Sequence, residues 1–285
     1  MTDAEPVHVA GLTLRAPLIL ASGCAGRELA AYTALDAVGA VVTRSITLDP
    51  RPGGPTPRVV ESPSGLLHST GWPNPGLEVF CATELPELVR LGARVFVSIV
   101  AASLGEYAEL ARRIGRTPGV SAVEVNLAAP DAAAHGLHDA REPFHVARVV
   151  GAVASELPPG VPAIAKLRHD PLHAVEAARS AADAGAAAVV VGNAASGVLP
   201  DGRPAGLGGP AIAPLALQQV REVAGALPQL DVVGGGGIRS ADDVRRHLAA
   251  GARAVQIGTA LLHDPRTPSR ILEALAPAPS ATEGP

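Results

Sequence analysis

The chain is almost without lysine: of its 23 basic residues, 22 are arginine and one, Lys166, is lysine. It has two cysteines, Cys24 and Cys81, at no metal-ligand spacing, so neither a structural zinc site nor an iron–sulfur cluster of its own is expected. A reducing compartment would leave both as thiols. No apolar run approaches the roughly 20 residues of a membrane span. No basic run accompanies the net charge of −4, which argues against nucleic acid as a partner. The opening MTDAEPVHV is acidic and polar where a secretory signal needs positive charge followed by an apolar stretch. Together these absences predict a soluble, cytoplasmic protein with no metal and no membrane partner, acting on a small molecule.

What is present is a chain of 285 residues, 47% hydrophobic, long enough to bury a large core. After a hairpin-like opening (VHVAGLTLRAP), short apolar runs alternate with amphipathic patterns. Strands are expected at Leu18–Ala21, Ala40–Thr43, Val95–Val100, Ala122–Asn126, Ala163–Leu167, Ala187–Val191, Asp231–Gly234 and Ala254–Ile257. Helices are expected at Ser103–Ile114, Pro143–Glu156, Pro171–Ala184, Pro210–Ala226 and Ala241–Ala250. Asp170 before Pro171, and Ser240 before Ala241 with Asp242 and Asp243, are helix-start signals. Eight near-continuous Val/Ile/Ala strands need cover on both faces, which predicts a (β/α)₈ TIM barrel, with a doubly wound sheet as the alternative. The barrel would be a single domain over residues 1–276, followed by a disordered Pro/Ala-rich tail over 277–285. Long loops follow the second strand (Arg44–Ala82), the fourth (Leu127–Arg141) and the sixth (Asn193–Gly209), all at the mouth where barrel chemistry resides. The stretch DPRPGGPTP in the first of them reads as a rigid, extended path.

Glycine-rich segments end the seventh and eighth strands, VVGGGGIRS and VQIGTALL, and GLGGPAI precedes the Pro210 helix. Gly236, Gly237, Gly258 and Thr259, with Gly208 and Gly209, could therefore turn backbone N–H groups toward a phosphate near helix N-termini. Lys166 ends the fifth strand and so faces the mouth. An ammonium there could stabilise negative charge on a flavin ring, whereas a desolvated amine could form a Schiff base with a phosphorylated carbonyl compound in a lyase or aldolase. Position alone leaves both open.

Read together, LILASGCAG, VVTRSITLDPRPGGPTPRVVESPSGLLHSTGWPNPG, VEVNLAAP, Lys166, GLGGPAI, GGGGIRS and IGTA resemble the class 1 dihydroorotate dehydrogenases from about Val9 to about Pro265. That resemblance implies an FMN-containing barrel, hydride transfer from a CH–CH bond to the flavin, and a proton taken by a loop base. It implies that Ala21, Ser22, Gly23, Arg44, Asn126, Lys166, Gly208, Gly209, Gly236, Gly237, Gly258 and Thr259 hold the flavin. It also implies a homodimer, or pairing with a separate electron-transfer subunit. The substrate side departs from the family pattern. Where the family's fourth-strand loop reads Asn-x-Ser-Cys-Pro-Asn, this chain reads Asn126, Leu127, Ala128, Ala129, Pro130, Asp131, without the cysteine base. His68 and Trp72 replace an asparagine and an aliphatic residue, Arg44 a lysine, and Asn193-Ala194 an Asn-Thr pair. Arg44, His68, Asn126, Asp131 and Asn193 are the expected substrate-binding residues, and His68, then His135 or His138, then Asp131 the candidate bases beside Lys166. The expected activity is FMN-dependent oxidation or reduction of a CH–CH or C=C bond in a substrate other than dihydroorotate. A dihydroorotate dehydrogenase with a substitute base, the Lys166 Schiff-base enzyme and a non-catalytic FMN-binding scaffold are the alternatives.

Overall fold

The computed structural model describes residues 6–127, 132–138, 140 and 142–276. A two-stranded antiparallel hairpin opens the fold, β1 (Val7–Val9) and β2 (Leu12–Leu14). The barrel strands are β3 (Leu18–Leu20), β4 (Ala40–Val42), β7 (Val95–Ile99), β8 (Val120–Asn126), β9 (Ala163–Lys166), β10 (Ala188–Val191), β13 (Asp231–Gly235) and β14 (Ala254–Ile257). They pair in parallel in chain order and close between β14 and β3. This is the expected (β/α)₈ barrel, not the doubly wound sheet.

The remaining strands lie in the loops after β4 and β10: β5 (Val59–Ser62), β6 (Gly65–His68), β11 (Ala195–Val198) and β12 (Pro204–Gly208). They form one antiparallel sheet in the order β11-β12-β6-β5. The DPRPGGPTP stretch carries no helix or strand, and beyond it the loop after β4 forms a hairpin and closes on a helical segment. That segment comprises α1 (Leu77–Val79), a π-helical turn (Phe80–Glu84) and α2 (Leu85–Arg90).

The outer helices follow as α3 (Leu104–Gly115), α4 (Pro143–Ala154), α5 (Ala174–Asp183), α6 (Ala213–Ala226), α7 (Ala241–Ala249), α8 (Thr259–His263) and α9 (Thr267–Leu275). Ser103 and Ser240 cap α3 and α7, each accepting from a backbone N–H three residues on. Two expected starts shift. Asp170 Oδ1 accepts from the N–H groups of Leu172 and His173, which ties up the stretch from Pro171 and delays α5 to Ala174. Pro210 begins a 3₁₀ turn, Pro210–Ile212, ahead of α6. No helix among the described residues is long and apolar enough to cross a membrane.

Alternation along each strand sorts the core into two regions. Val123 and Val125 of β8, like their outward-facing equivalents on the other strands, pack under the helices. Inside the barrel, each of the eight strands contributes apolar residues: Ile19, Ala40, Val42, Phe96, Ala122, Ile164, Ala188, Val190, Val233 and Ala254. The opening hairpin plugs the lower end with Val9, Ala10 and Leu14, held by the Ala10 N–H donating to Asp231 Oδ2 at 2.8 Å. Phe96 is the one aromatic ring in this interior, set among side chains no larger than leucine. We expect Phe96→Ala to leave a cavity the neighbouring strands cannot close and to lower unfolding free energy by about 3–5 kcal/mol. Urea denaturation checks this, and a loss below about 1 kcal/mol would show that the layer collapses around the gap.

Candidate active site

Two residues beyond four of the apolar interior positions, the same strands turn polar side chains inward. Ser98 follows Phe96, Glu124 follows Ala122, Lys166 follows Ile164 and Gln256 follows Ala254. All four are buried. Lys166 Nζ donates to Gln256 Oε1 at 3.0 Å and lies 3.4 Å from Glu124 Oε1. Gln256 Nε2 donates to Glu124 Oε2 at 2.5 Å. One amide thus bridges an ammonium and a carboxylate, in the only orientation that satisfies both. Beside them Asn126 Nδ2 donates to Ser45 Oγ at 2.9 Å, and the Ser45 and Ser98 hydroxyls are 2.9 Å apart. The buried Tyr107 hydroxyl donates to the Asn126 carbonyl at 3.3 Å, and burial pushes its pKa above the ordinary phenol value.

Lys166, Gln256, Asn126 and Ser45 form part of the lining of a cavity of about 1270 Å³ at the barrel mouth. The expected phosphate residues line the same space: Gly208, Gly209, Gly236, Gly237, Gly258 and Thr259, together with Ala21, Ser22 and Gly23. Two of these glycines have no alternative. Gly236 has φ +88°, and a Cβ there would lie 2.4 Å from the Gly192 carbonyl oxygen, while Gly237 has φ +74°, and a Cβ there would lie 2.7 Å from the Ala213 Cα. Gly258 differs, because a Cβ there would meet only Ala21 and Cys24 at ordinary contact distance.

The loops supply the remaining wall. Asn74, buried at the end of the second loop, accepts at Oδ1 from the Thr47 and Gly76 N–H groups and donates from Nδ2 to the Trp72 carbonyl at 2.9 Å. Arg203 on the sixth-strand loop donates to the carbonyls of Pro55 and Pro57 at 2.9 and 2.8 Å, stitching the two loops together. On the sheet so formed, His68 lies opposite Gly206, whose hydrogen leaves room for the ring; a Cβ would come within 2.8 Å of it. Trp72 has φ +52°, a left-handed conformation unusual for a bulky residue. It packs on Val100, Ala132 and Leu137 and faces the cavity with His68.

Of the other expected site residues, Arg44 lines the cavity, its Nε 3.6 Å from Glu84 Oε2. Asn193 also lines it, with Oδ1 accepting from the Ala194 N–H. His135 lies outside the lining, edge-on to Trp72 with ring centroids 5.5 Å apart, and its carbonyl accepts from Arg51. His138 stands near His145, also away from the lining. Asp131, with Ala128 and Ala129, lies outside the described residues. Cys24 lines the cavity, where burial around the thiol pushes its pKa up to about 11 against the opposing pull of the Lys166 ammonium.

The sequence reading missed Glu124, Gln256, Ser45, Ser98 and Asn74. A signal for Glu124 was present: in VSAVEVN it alternates in phase with Asn126, so a carboxylate was bound to enter a closed barrel. Asn74 carried no such signal, because its bonds depend on where the loop returns.

The sequence model of the family described as Dihydroorotate dehydrogenase matches residues 6–278. The chain is 39% identical over 280 residues to the dihydroorotate dehydrogenase B (NAD(+)) catalytic subunit of Pelobacter propionicus, covering 94% of this chain and 91% of that one. With the subunit of the same description from Desulforudis audaxviator it shares 40% over 270 residues, covering 91% and 87%. In fold it is similar to the crystal structure of DHODH from Eimeria tenella in complex with ferulenol, with a TM-score of 0.78 and 19% identity over 96% of this chain and 86% of that one. Barrel and sequence thus agree, and the chain belongs to the dihydroorotate dehydrogenase family.

Proposed function

We propose that this chain is an FMN-dependent oxidoreductase that acts on a CH–CH or C=C bond of a small substrate other than dihydroorotate. The family consists of oxidoreductases acting on CH–CH bonds. The observation carrying the flavin assignment is that three glycine-bearing strand or loop ends and one buried ammonium share a single cavity. At about 1270 Å³ that cavity exceeds the range of about 300–1,000 Å³ usual for single-ligand pockets, so a cofactor and a substrate fit together. The donor set suits FMN: backbone N–H groups at Gly208, Gly209, Gly236, Gly237, Gly258 and Thr259 for the phosphate, and Ala21, Ser22, Gly23, Arg44, Asn126 and Lys166 for the ring. Bound there, FMN supplies a two-electron acceptor for hydride chemistry. The ion pair of Lys166 with Glu124 supports an ammonium that stabilises negative charge over an amine poised for a Schiff base.

On the substrate side, Arg44, His68, Asn126, Asn193 and Asp131 bind and orient the reacting molecule. His68 holds or takes the proton, since it faces the cavity and imidazole exchanges protons near neutrality. His135, edge-on to Trp72, and Asp131 are the remaining candidates. Cys24 is a poor base at neutral pH because its thiolate is disfavoured. Ala129 stands where the family's cysteine base is expected, and this is the reason for assigning a different substrate. The identity to relatives described as dihydroorotate dehydrogenase B favours a second reading, dihydroorotate oxidation with His68 as substitute base. Their description as catalytic subunits supports a separate electron-transfer partner for this chain. The assembly we propose is a cytoplasmic homodimer of single-domain subunits.

Purified protein is expected to be yellow and to release FMN on denaturation. Gly258→Ala should weaken FMN binding about tenfold while leaving thermal stability nearly unchanged, since that position tolerates a Cβ. Colourless protein that takes up no FMN in a fluorescence titration removes the flavin reading. Mixed anaerobically with dihydroorotate, the wild-type flavin should stay oxidised for seconds, and Ala129→Cys should speed its bleaching; rapid bleaching of the wild type selects the second reading. Alkylation of Cys24 at pH 8 should run on the order of 100-fold slower than that of a free thiol, because little thiolate forms below a pKa of about 11. Peptide mapping after iodoacetamide treatment measures this, and labelling at the rate of a free thiol contradicts it.

A further inference from the structure

We propose that Glu124 is a positioning residue for Lys166: its carboxylate, with the Gln256 amide, fixes the ammonium on the barrel floor and offsets part of its charge, setting how strongly the site favours an electron-rich ring above it. The inference rests on the flavin reading for its consequence, but not for its geometry. Glu124 has no exposed surface, so its charge is fully desolvated and needs a partner of opposite sign. The cation it meets is Lys166, 3.4 Å away, and the two are also joined through Gln256 at 3.0 and 2.5 Å. The three residues come from β8, β9 and β14, so the closure of the barrel sets their spacing rather than any one loop. Lys166 and Gln256 line the cavity, whereas Glu124 is not part of the lining. Glu124 therefore acts on the ligand through Lys166 and through its own field, which a low-dielectric interior transmits with little screening.

The sign of the effect follows from charge. A carboxylate beneath the ammonium opposes negative charge on the ring. Replacing it with an amide of the same shape removes that opposition, so reduction of the bound flavin becomes more favourable. Lys166 is the single lysine of the chain, so labelling with ¹³Cε-lysine gives one reporter resonance at the site, readable with or without FMN. In apoprotein we expect Glu124→Gln to shift that resonance and Glu124→Asp, which keeps the charge, to hold it near the wild-type position. Gln256→Leu should shift it as well, by removing the bridge while sparing both charges, and it serves should Glu124→Gln fail to fold. In FMN-loaded protein, Glu124→Gln should move the reduction potential to a more positive value and Glu124→Asp should leave it close to wild type. A lysine resonance indifferent to both Glu124→Gln and Gln256→Leu in folded protein overturns the proposal, and so does a potential that is unchanged or more negative in Glu124→Gln. If wild-type protein binds no FMN the flavin reading falls, while the lysine resonance still decides whether Glu124 holds the ammonium.

Discussion

A lysine and a glutamate inside a closed barrel are the constraint around which the site is organised. Glu124 is wholly buried and Lys166 is buried except where it lines the cavity, so the carboxylate requires the ammonium, and their separation is fixed by strand register: Glu124 and Lys166 sit on adjacent strands, with Gln256 reaching across from the far side. An apolar layer in their place would pack as well. What the charged layer adds is a cation whose position is determined by the scaffold and whose open side is the cavity. Below it, the small aliphatic side chains and Phe96 fill the barrel, and the opening hairpin shuts the lower end. The interior can therefore be addressed only from the mouth.

The wall above that floor is made by loops that order one another. Asn74 satisfies the turn before α1, Arg203 binds the Pro55 and Pro57 carbonyls, and β6 pairs with β12 across the two loops. His68 faces the cavity because of this cross-pairing and because Gly206 opposite has no side chain to exclude the ring. Trp72 is held in a left-handed conformation between a packed apolar cluster and the open space. Backbone strain of this kind persists only where the surroundings over-determine it, as the Asn74 amide does through the Trp72 carbonyl.

Family membership and the residues at the mouth constrain different halves of the chemistry. The glycine-lined strand ends and the buried lysine belong to the half that we propose holds a flavin. Ala128, Ala129, Asp131 and His68 belong to the half that we propose meets a substrate. Hydride transfer depends chiefly on alignment of two rings, whereas proton transfer needs a particular group at a particular atom, so the second half can change while the first is kept. Arg44 stands at the edge of the cavity with its Nε 3.6 Å from Glu84 Oε2.

The eight barrel strands and their order were legible in the sequence because apolar runs of four to six residues, separated by amphipathic helices, have few other ways to hide both faces. The glycine-rich ends and Lys166 could be placed at the mouth for the same reason, since strand direction alone assigns them there. The segment 44–82 could not be read, because its β5–β6 hairpin joins a sheet only where β6 pairs with β12, more than a hundred residues away, and its helical segment is set by burial of Leu77, Phe80 and Leu85. Nor does a list of residues say that Lys166 is neutralised from below by Glu124 or that His135 stands behind Trp72. Local pattern determined the barrel strands and the helices α3 to α7, because periodicity and capping act within a few residues. Which side chains meet was decided only when the barrel closed, because those distances depend on strand register around the whole ring.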